Sequence, residues 1–579
     1  MLTYCAQVGV KHKGKKYDVE LEPTSTGEDF KLQLYSLTGV EPDRQKVLIK
    51  GGQLKDDAVI GDLGLKNGQQ LMMLGTASDD GSFARPTEKI KFVEDMTEAE
   101  AAQQVGATPA GLVNLGNTCY LNSTLQVLRS VPELQDNLVK YNAPSTSTGS
   151  LGLFPGPNVD LTNQLRHLYK NMSETQEGYA PTSFINALRV AFPQFAERSK
   201  SGAGYAQQDA EEAWSQIIAQ LRQKITIKEG GDDSKAVSFI DKYMAGEFSS
   251  TLECDEPQAR ELGEEPTSSK EPFLKLNCHI DSSTNHLRDG IMNGLTEKIE
   301  KRSAVLDRDA VYTKKSLISH LPKYLTVHFV RFFWRRDVQK KAKIMRKVTF
   351  PQELDAVEFC TDELKKALIP VRDKVREIRK DEEDIERARK RRKRSHTVQD
   401  ADIAGSFGAS EADKRKKQQQ EKKDAAKKPG GGASSADGDV QMGEAGGETY
   451  KTDAEFEAEK EASLLAAKKE LHALIDPELL KDDGANQSGL YELRGVVTHQ
   501  GASADSGHYT AYVKKTAPVD PKTGKKGEED GNWWWFNDDK VSEVTPDKID
   551  TLAGGGESHS ALILLYRAIP LPSAEGITE

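Results

Sequence analysis

Cysteine is scarce in this chain: Cys5, Cys119, Cys254, Cys278 and Cys360 stand singly among 579 residues, none in a Cys-x-x-Cys pair. That scatter argues against a disulfide framework and a thiolate-rich zinc site, and fits a reducing compartment. Long apolar runs are missing too, so no stretch reads as a membrane span, and the N-terminus lacks the apolar core of a secretory signal. Neither sign of charge prevails. The 91 acidic and 80 basic residues leave a net charge of −11, too modest at this length to name a partner. The expectation is a protein of the cytoplasm and nucleus with no membrane partner, no nucleic-acid partner and no cofactor or metal.

What is present divides by composition, and the length favours two to four domains. Residues 1–76 carry the marks of a small domain. Strand-like stretches flank the turn Lys11-His12-Lys13-Gly14-Lys15, and Thr26-Gly27-Glu28-Asp29 offers capping residues to a helix bearing Phe30, Leu32, Leu34 and Leu37. Short strands follow at Lys46–Lys50 and Gln70–Leu74. If Val47 and Ile49 point inward, period-two alternation sends Leu48 outward, with Met72 and Leu74 on the same face. Residues 77–108 read as a tether holding a short helix over Thr97–Gln104. From 109 to 568 the apolar density is that of a globular fold, interrupted over 375–485 by a charged, partly disordered insertion. Within it, Arg389-Lys390-Arg391-Arg392-Lys393-Arg394 reads as a solvated helix face rather than an import signal or nucleic-acid patch. Residues 569–579 form a tail.

The chemistry gathers around Gly111-Leu112-Val113-Asn114-Leu115-Gly116-Asn117-Thr118-Cys119-Tyr120-Leu121-Asn122-Ser123. A glycine-broken loop ends at Thr118, and Leu121, Leu125, Val127 and Leu128 then recur at near-helical spacing, so a helix begins at or beside Cys119. A thiol at a helix N-terminus meets unpaired N–H groups that favour thiolate, the nucleophilic form; the competing reading is a small buried hydrophobe. A cysteine nucleophile needs a base, and the base needs a group to fix its tautomer. Of eleven histidines, His508 alone opens a strand straight after a Gly/Ser-rich loop, and Asn537 or Asp538 further on can accept its ring N–H. His328, in the run Tyr324–Phe332, reads as a packed strand histidine.

Two resemblances sharpen this reading. Residues 1–76 resemble a ubiquitin-like β-grasp domain, through their element order and the phrases Thr38-Gly39-Val40-Glu41-Pro42 and Ile49-Lys50-Gly51-Gly52-Gln53-Leu54-Lys55-Asp56. No diglycine tail follows, so the implied role is docking, through Leu48, Met72 and Leu74. Residues 109–568 resemble the ubiquitin-specific protease family of papain-like cysteine deubiquitinases. Its cysteine box matches the stretch ending at Ser123. Its histidine box matches Gly507-His508-Tyr509-x-Ala511-Tyr512-Val513, followed by Trp535-Phe536-Asn537-Asp538, and an intervening box matches Tyr205-Ala206-Gln207-Gln208-Asp209-Ala210-x-Glu212. The fold implied is α+β: a β-grasp domain ahead of a papain-like domain with thumb, palm and fingers.

The resemblance assigns Cys119 as nucleophile, His508 as base and acid, Asn537 as orienter with Asp538 beside it, and Asn114 as a donor to the oxyanion. It sets Gln207, Asp209, Glu212 and Tyr509 beside the ubiquitin tail, with helix capping or solvation as the plainer role of Asp209 and Glu212. Zinc, which many relatives hold on two Cys-x-x-Cys pairs, is not expected. Within the family the likeness is to members that carry a ubiquitin-like domain and work at the proteasome. That implies ubiquitin conjugates and the 26S proteasome regulatory particle as partners, with isopeptide hydrolysis at the ubiquitin C-terminal glycine. Loop His499–Gly507 and the aromatic run Phe332–Trp334 are expected to cover the tail cleft and to move when the proteasome is engaged. Two alternatives stand beside this: a non-catalytic ubiquitin-binding regulator of the proteasome, and a protease for another ubiquitin-like modifier.

Overall fold

The computed structural model describes residues 6–49, 52–75, 97–102, 106–142, 160–199, 204–228, 236–335, 340–406, 453–503, 506–517, 527 and 529–573. Its contacts divide the chain into two units, Met1–Met96 and Thr97–Glu579. Most of the expected tether (76–96) and the Lys- and Gly-rich stretch 407–452 lie outside the described residues.

In the first unit, strands β1 (Ala6–His12) and β2 (Lys15–Leu21) are joined by Lys13 and Gly14, both with positive φ, as the two-residue hairpin turn of right-handed twist requires. Thr26 caps helix α1 (Gly27–Thr38). Its hydroxyl accepts from Asp29 N at 3.2 Å while the Asp29 carboxylate accepts from Thr26 N at 2.9 Å. Such a cap is worth about 1 kcal/mol. Strands β3 (Lys46–Ile49), β4 (Gly52–Gln53) and β5 (Gln70–Leu74) complete a sheet of order β2-β1-β5-β3-β4, in which β1 and β5 run parallel. Phe30 and Leu34 of α1 bury against Val8, Val10, Val47, Leu71 and Met73. Alternation leaves the other set outside: Leu48, Met72 and Leu74 are 42, 51 and 51 % exposed, and Leu48 pairs directly with Met72 across the strands. This is the β-grasp arrangement, with an apolar patch on its open face.

The second unit is a helical layer packed on a large mixed sheet. Helices α2 (Cys119–Arg129) and α3 (Ala210–Lys224), with Leu161–Met172 and Thr182–Ala191, turn Leu121, Leu125, Phe184, Leu188, Trp214 and Ile218 toward the sheet residues Tyr509, Ala511, Val513 and Leu565. The strands concerned, in chain order, are β6 (Gly246–Cys254), β7 (Thr267–Phe273), β8 (Leu276–His279), β9 (Thr296–Ser303), β10 (Arg308–His320), β11 (Tyr324–Val330), β12 (Phe332–Arg335), β13 (Lys340–Lys343), β14 (Leu490–Ser503), β15 (Ser506–Lys514), β16 (Trp533–Asn537), β17 (Lys540–Val544) and β18 (Ser560–Ala568). The main sheet runs β8-β11-β18-β14-β15-β16-β17, and β9-β10-β6-β7 form a separate antiparallel sheet. His328 lies on β11, where burial holds its ring down at about 4, as befits a packed strand histidine.

Two expectations are corrected here. The stretch Ala401–Ser406, which composition reads as disordered, continues the helix that holds the charge run, α4 (Asp362–Ser406). Its first turns carry the apolar stripe Val371, Val375 and Ile378, which buries against Leu471 and Ile475 at the end of α5 (Asp453–Leu474) and beyond. That contact, with Leu364 and Leu368 buried at the helix start, anchors the basic turns that follow. The segment His499–Gly507 is not an open loop either: β14 and β15 pair as far as Ser503 and Ser506, with 504–505 outside the described residues. Phe332 begins β12, and its ring meets His499 edge-on at 5.2 Å.

Candidate active site

The loop before Cys119 is organised by one side chain. Asn114 Oδ1 accepts from Gly116 N at 3.0 Å, Thr118 N at 3.2 Å and Thr118 Oγ1 at 3.3 Å, closing the backbone on itself. Gly116 and Asn117 both take positive φ (95° and 56°), a turn open to Gly and tolerable for Asn. Asn117 Nδ2 donates to Tyr205 O at 2.9 Å, tying this loop to the segment that leads into α3. On its other side the loop meets the β16–β17 turn. Leu112 N donates to Asp538 O at 2.9 Å, and a Cβ on Gly111 would stand only 2.4 Å from Asp539 O, so glycine is what lets the two backbones touch.

Cys119 is the first residue of α2, as the leucine spacing implied, but it is 3 % exposed. Burial pushes its thiol up to about 11, and the nearby Asp538 carboxylate adds to this; N–H groups of Tyr509 and the helix start pull the other way without prevailing. The helix N-terminus does favour thiolate, as expected, and burial opposes it. Desolvation of the charged form outweighs the helix dipole, an effect of about 0.3–1 kcal/mol in ordinary settings.

His508 lies near the start of β15, half-buried, and the backbone N–H of the next residue, Tyr509, hydrogen-bonds the Cys119 sulfur. The strand that carries the imidazole thus runs against the thiol. His508 Nε2 stands 2.6 Å from Asn537 Oδ1 and 4.0 Å from Asp538 Oδ2. A carbonyl oxygen only accepts, so Nε2 carries the proton and Nδ1 is left as the basic nitrogen. Asp538 is engaged elsewhere: its two oxygens accept from Asn114 Nδ2 at 2.9 Å and Asn122 Nδ2 at 2.8 Å. The neighbours divide the work, Asn537 holding the histidine and Asp538 holding the loop and helix that present the cysteine. Among the described residues no group of three or more His, Cys, Asp or Glu side chains is placed to hold a metal ion.

A buried thiol on a helix N-terminus, an imidazole on the adjoining strand and an amide fixing that imidazole make the constellation of a cysteine hydrolase. A family model described as ubiquitin carboxyl-terminal hydrolase matches residues 110–566. The chain belongs to that family. A second model, the ubiquitin family, matches residues 8–78. Ubiquitin carboxyl-terminal hydrolase 6 of Schizosaccharomyces pombe is 43 % identical over 561 residues, covering 97 % of this chain and 98 % of that one. Ubiquitin carboxyl-terminal hydrolase 6 of Arabidopsis thaliana is 36 % identical, with 97 and 98 % covered, and ubiquitin carboxyl-terminal hydrolase 14 of Caenorhabditis elegans is 29 % identical, with 97 and 93 % covered. The protein is a cysteine-type deubiquitinase with an N-terminal ubiquitin-like domain.

Not every residue that the deubiquitinase boxes nominate faces a substrate. Tyr509 is corrected: its side chain is 1 % exposed and its ring packs on His499 at 4.6 Å, because alternation along β15 sends His508 and Tyr509 to opposite faces. What Tyr509 offers the site is its backbone N–H. Asp209 is the N-cap of α3, accepting from Glu211 N at 3.0 Å, which is the plainer of its two expected roles. Gln207 and Glu212 are partly buried on the same segment, and among the described residues the Gln207 Nε2 has no hydrogen-bond partner. On the same segment Tyr205 has two cationic neighbours, Arg189 and Arg198, stacked over its ring at 3.6 and 4.6 Å.

Sequence reasoning passed over Asn122, Asn117 and Asp538's true partners. Asn122 lies three residues past the cysteine, hence on the same helix face, and its Nδ2 also donates to Leu112 O at 3.1 Å. That spacing was the available signal. The Gly116-Asn117 pair was likewise a left-handed turn signature in plain view.

Proposed function

We propose that this deubiquitinase works at the proteasome, docked through its ubiquitin-like domain, and trims ubiquitin from arriving conjugates in cytoplasm and nucleus. The observation that carries the reading is the contiguous patch of Leu48, Met72 and Leu74, three apolar side chains kept out of the core by strand alternation. The resemblance of the whole chain to proteasome-associated members supports it. The burial of Cys119, which pushes its thiol up to about 11, fits an enzyme held at rest until it is engaged.

In this reading His508 Nδ1 takes the thiol proton, and the Cys119 sulfur attacks the carbonyl carbon of the ubiquitin C-terminal glycine. The carbonyl π pair moves to oxygen. Asn114 has a second Nδ2 hydrogen beyond the one given to Asp538, and it meets this oxyanion together with backbone N–H groups beside Cys119. The tetrahedral species collapses, the C–N bond breaks, and the lysine amine leaves with the proton from His508. A water deprotonated by His508 then cleaves the thioester, releasing ubiquitin and restoring the thiol. Asn537 keeps the imidazole in the required tautomer throughout. Gln207 and Glu212 border the tail.

The test is a Leu48→Glu/Met72→Glu variant. Both sites are exposed, so stability should stay within about 0.5 kcal/mol. Expected are loss of co-purification with the regulatory particle and unchanged hydrolysis of a ubiquitin–coumarin amide by the free enzyme. Undiminished proteasome binding refutes the docking surface.

A further inference from the structure

A third residue stands against the base and takes no part in the mechanism above. His559, immediately ahead of β18, has its ring 6.5 Å from that of His508 at 73°, an edge-on contact. Its Nδ1 lies 3.2 Å from Thr498 Oγ1, and Thr498 Oγ1 in turn lies 2.8 Å from Thr510 Oγ1. Thr498 on β14 and Thr510 on β15 are register partners, 0 and 1 % exposed, and Thr510 sits two residues from His508 on the same strand face. One buried pair of hydroxyls therefore links the strand that carries the base to the loop that carries His559. Gly501 N, donating to Glu557 O at 3.0 Å, fixes the same loop from the hairpin.

We propose that His559 is a positioning residue for the base: tethered to Thr498, its ring walls one side of His508 and keeps that imidazole seated on Asn537. The His508 side chain is 35 % exposed, and the Asn537 contact is a single hydrogen bond about which the ring can swing. A wall on the inner side removes that freedom, which the reaction would otherwise have to recover at each proton transfer. The wall is also uncharged. Burial, with the charges of His508, Lys343 and Lys548 facing it, holds His559 down at about 4, so near neutral pH His508 alone of the two rings takes the thiol proton.

This inference rests on His508 being the base, and the experiment separates the two claims. Hydrolysis of a ubiquitin–coumarin amide by the full chain is measured from pH 6 to 9 in His559→Ala, His559→Phe, Thr498→Val and His508→Ala. In His559→Ala kcat should fall about tenfold, as a small displacement of a catalytic group does, with KM within about twofold. His559→Phe restores the wall, and with it kcat to within about threefold. Thr498→Val, which loses the tether together with the Thr510 hydrogen bond, falls between. A wild-type kcat in His559→Ala overturns the proposal. So does a loss that Phe does not restore and that tracks a lowered melting temperature. Turnover surviving in His508→Ala overturns the base assignment beneath it, and this proposal too.

Discussion

Replacing Asp538 by asparagine should make the nucleophile more acidic and the enzyme slower, two changes that simple thiol chemistry would not pair. The carboxylate accepts from two amides, Asn114 at 2.9 Å and Asn122 at 2.8 Å, and its charge is one of the causes that hold the Cys119 thiol up at about 11. An asparagine has one acceptor oxygen where aspartate has two, so one of these donors loses its partner. A hydrogen bond to a charged group contributes about 1.5–3 kcal/mol. If that loss falls on the transition state, kcat drops by about tenfold to a hundredfold. Removing a negative charge favours thiolate, so the thiol pKa must move down, while burial keeps it above its ordinary value. The assay is the pH dependence of Cys119 alkylation by a small uncharged electrophile, beside kcat and KM for a ubiquitin–coumarin amide. A thiol whose midpoint stays put or rises, or a kcat equal to wild type, refutes the reasoning.

Three further outcomes are expected. Asn537→Ala removes the 2.6 Å acceptor from His508 and should lower kcat about tenfold or more, with little change in KM; because Asp538 stands 4.0 Å away, activity should not vanish, and a variant indistinguishable from wild type contradicts the assignment. Arg331 is 1 % exposed and donates to the carbonyls of Ala561 (2.9 Å), Ile344 (3.3 Å), Arg346 (2.8 Å) and Ala553 (3.1 Å), so Arg331→Met should cost about 3–5 kcal/mol in denaturant unfolding of the larger unit, and a loss under 1 kcal/mol is the adverse result. His499, fully buried between Phe332 and Tyr509, is held down at about 3, whereas the unfolded chain takes up this proton as pH falls through about 6.5. Its burial therefore contributes stability that is present above pH 6.5 and lost as pH falls below it; His499→Phe should lose less stability than wild type between pH 7 and 5, and an equal loss counts against it.

Local chemistry was legible in the sequence, and distant partnership was not. The start of α2 at Cys119, the cap on α1 and the outward set Leu48, Met72 and Leu74 follow from spacing and alternation within a few residues. Alternation also separates His508 from Tyr509, although a strand buried on both faces hides which residue meets solvent. The division between Asn537 and Asp538 is different in kind. It depends on Asn114, 424 residues away, and no periodicity carries that contact. Thiol acidity divides the same way: the helix-start N–H groups are local, while the desolvation that opposes them belongs to the assembled core. Helix α4 was legible as far as its basic run, which reads as a solvated helix face, but not over Ala401–Ser406, whose composition is that of a disordered segment.

The central claim is that Cys119, served by His508 and Asn537, attacks the C-terminal carbonyl of ubiquitin. The most direct measurement is reaction of the full chain with ubiquitin bearing a C-terminal thiol-reactive electrophile, with and without proteasomes, the adduct mapped by peptide mass. The account expects one ubiquitin on Cys119, none on Cys119→Ala, and faster labelling when proteasomes are present. An adduct on another cysteine, or none in either setting, would contradict it.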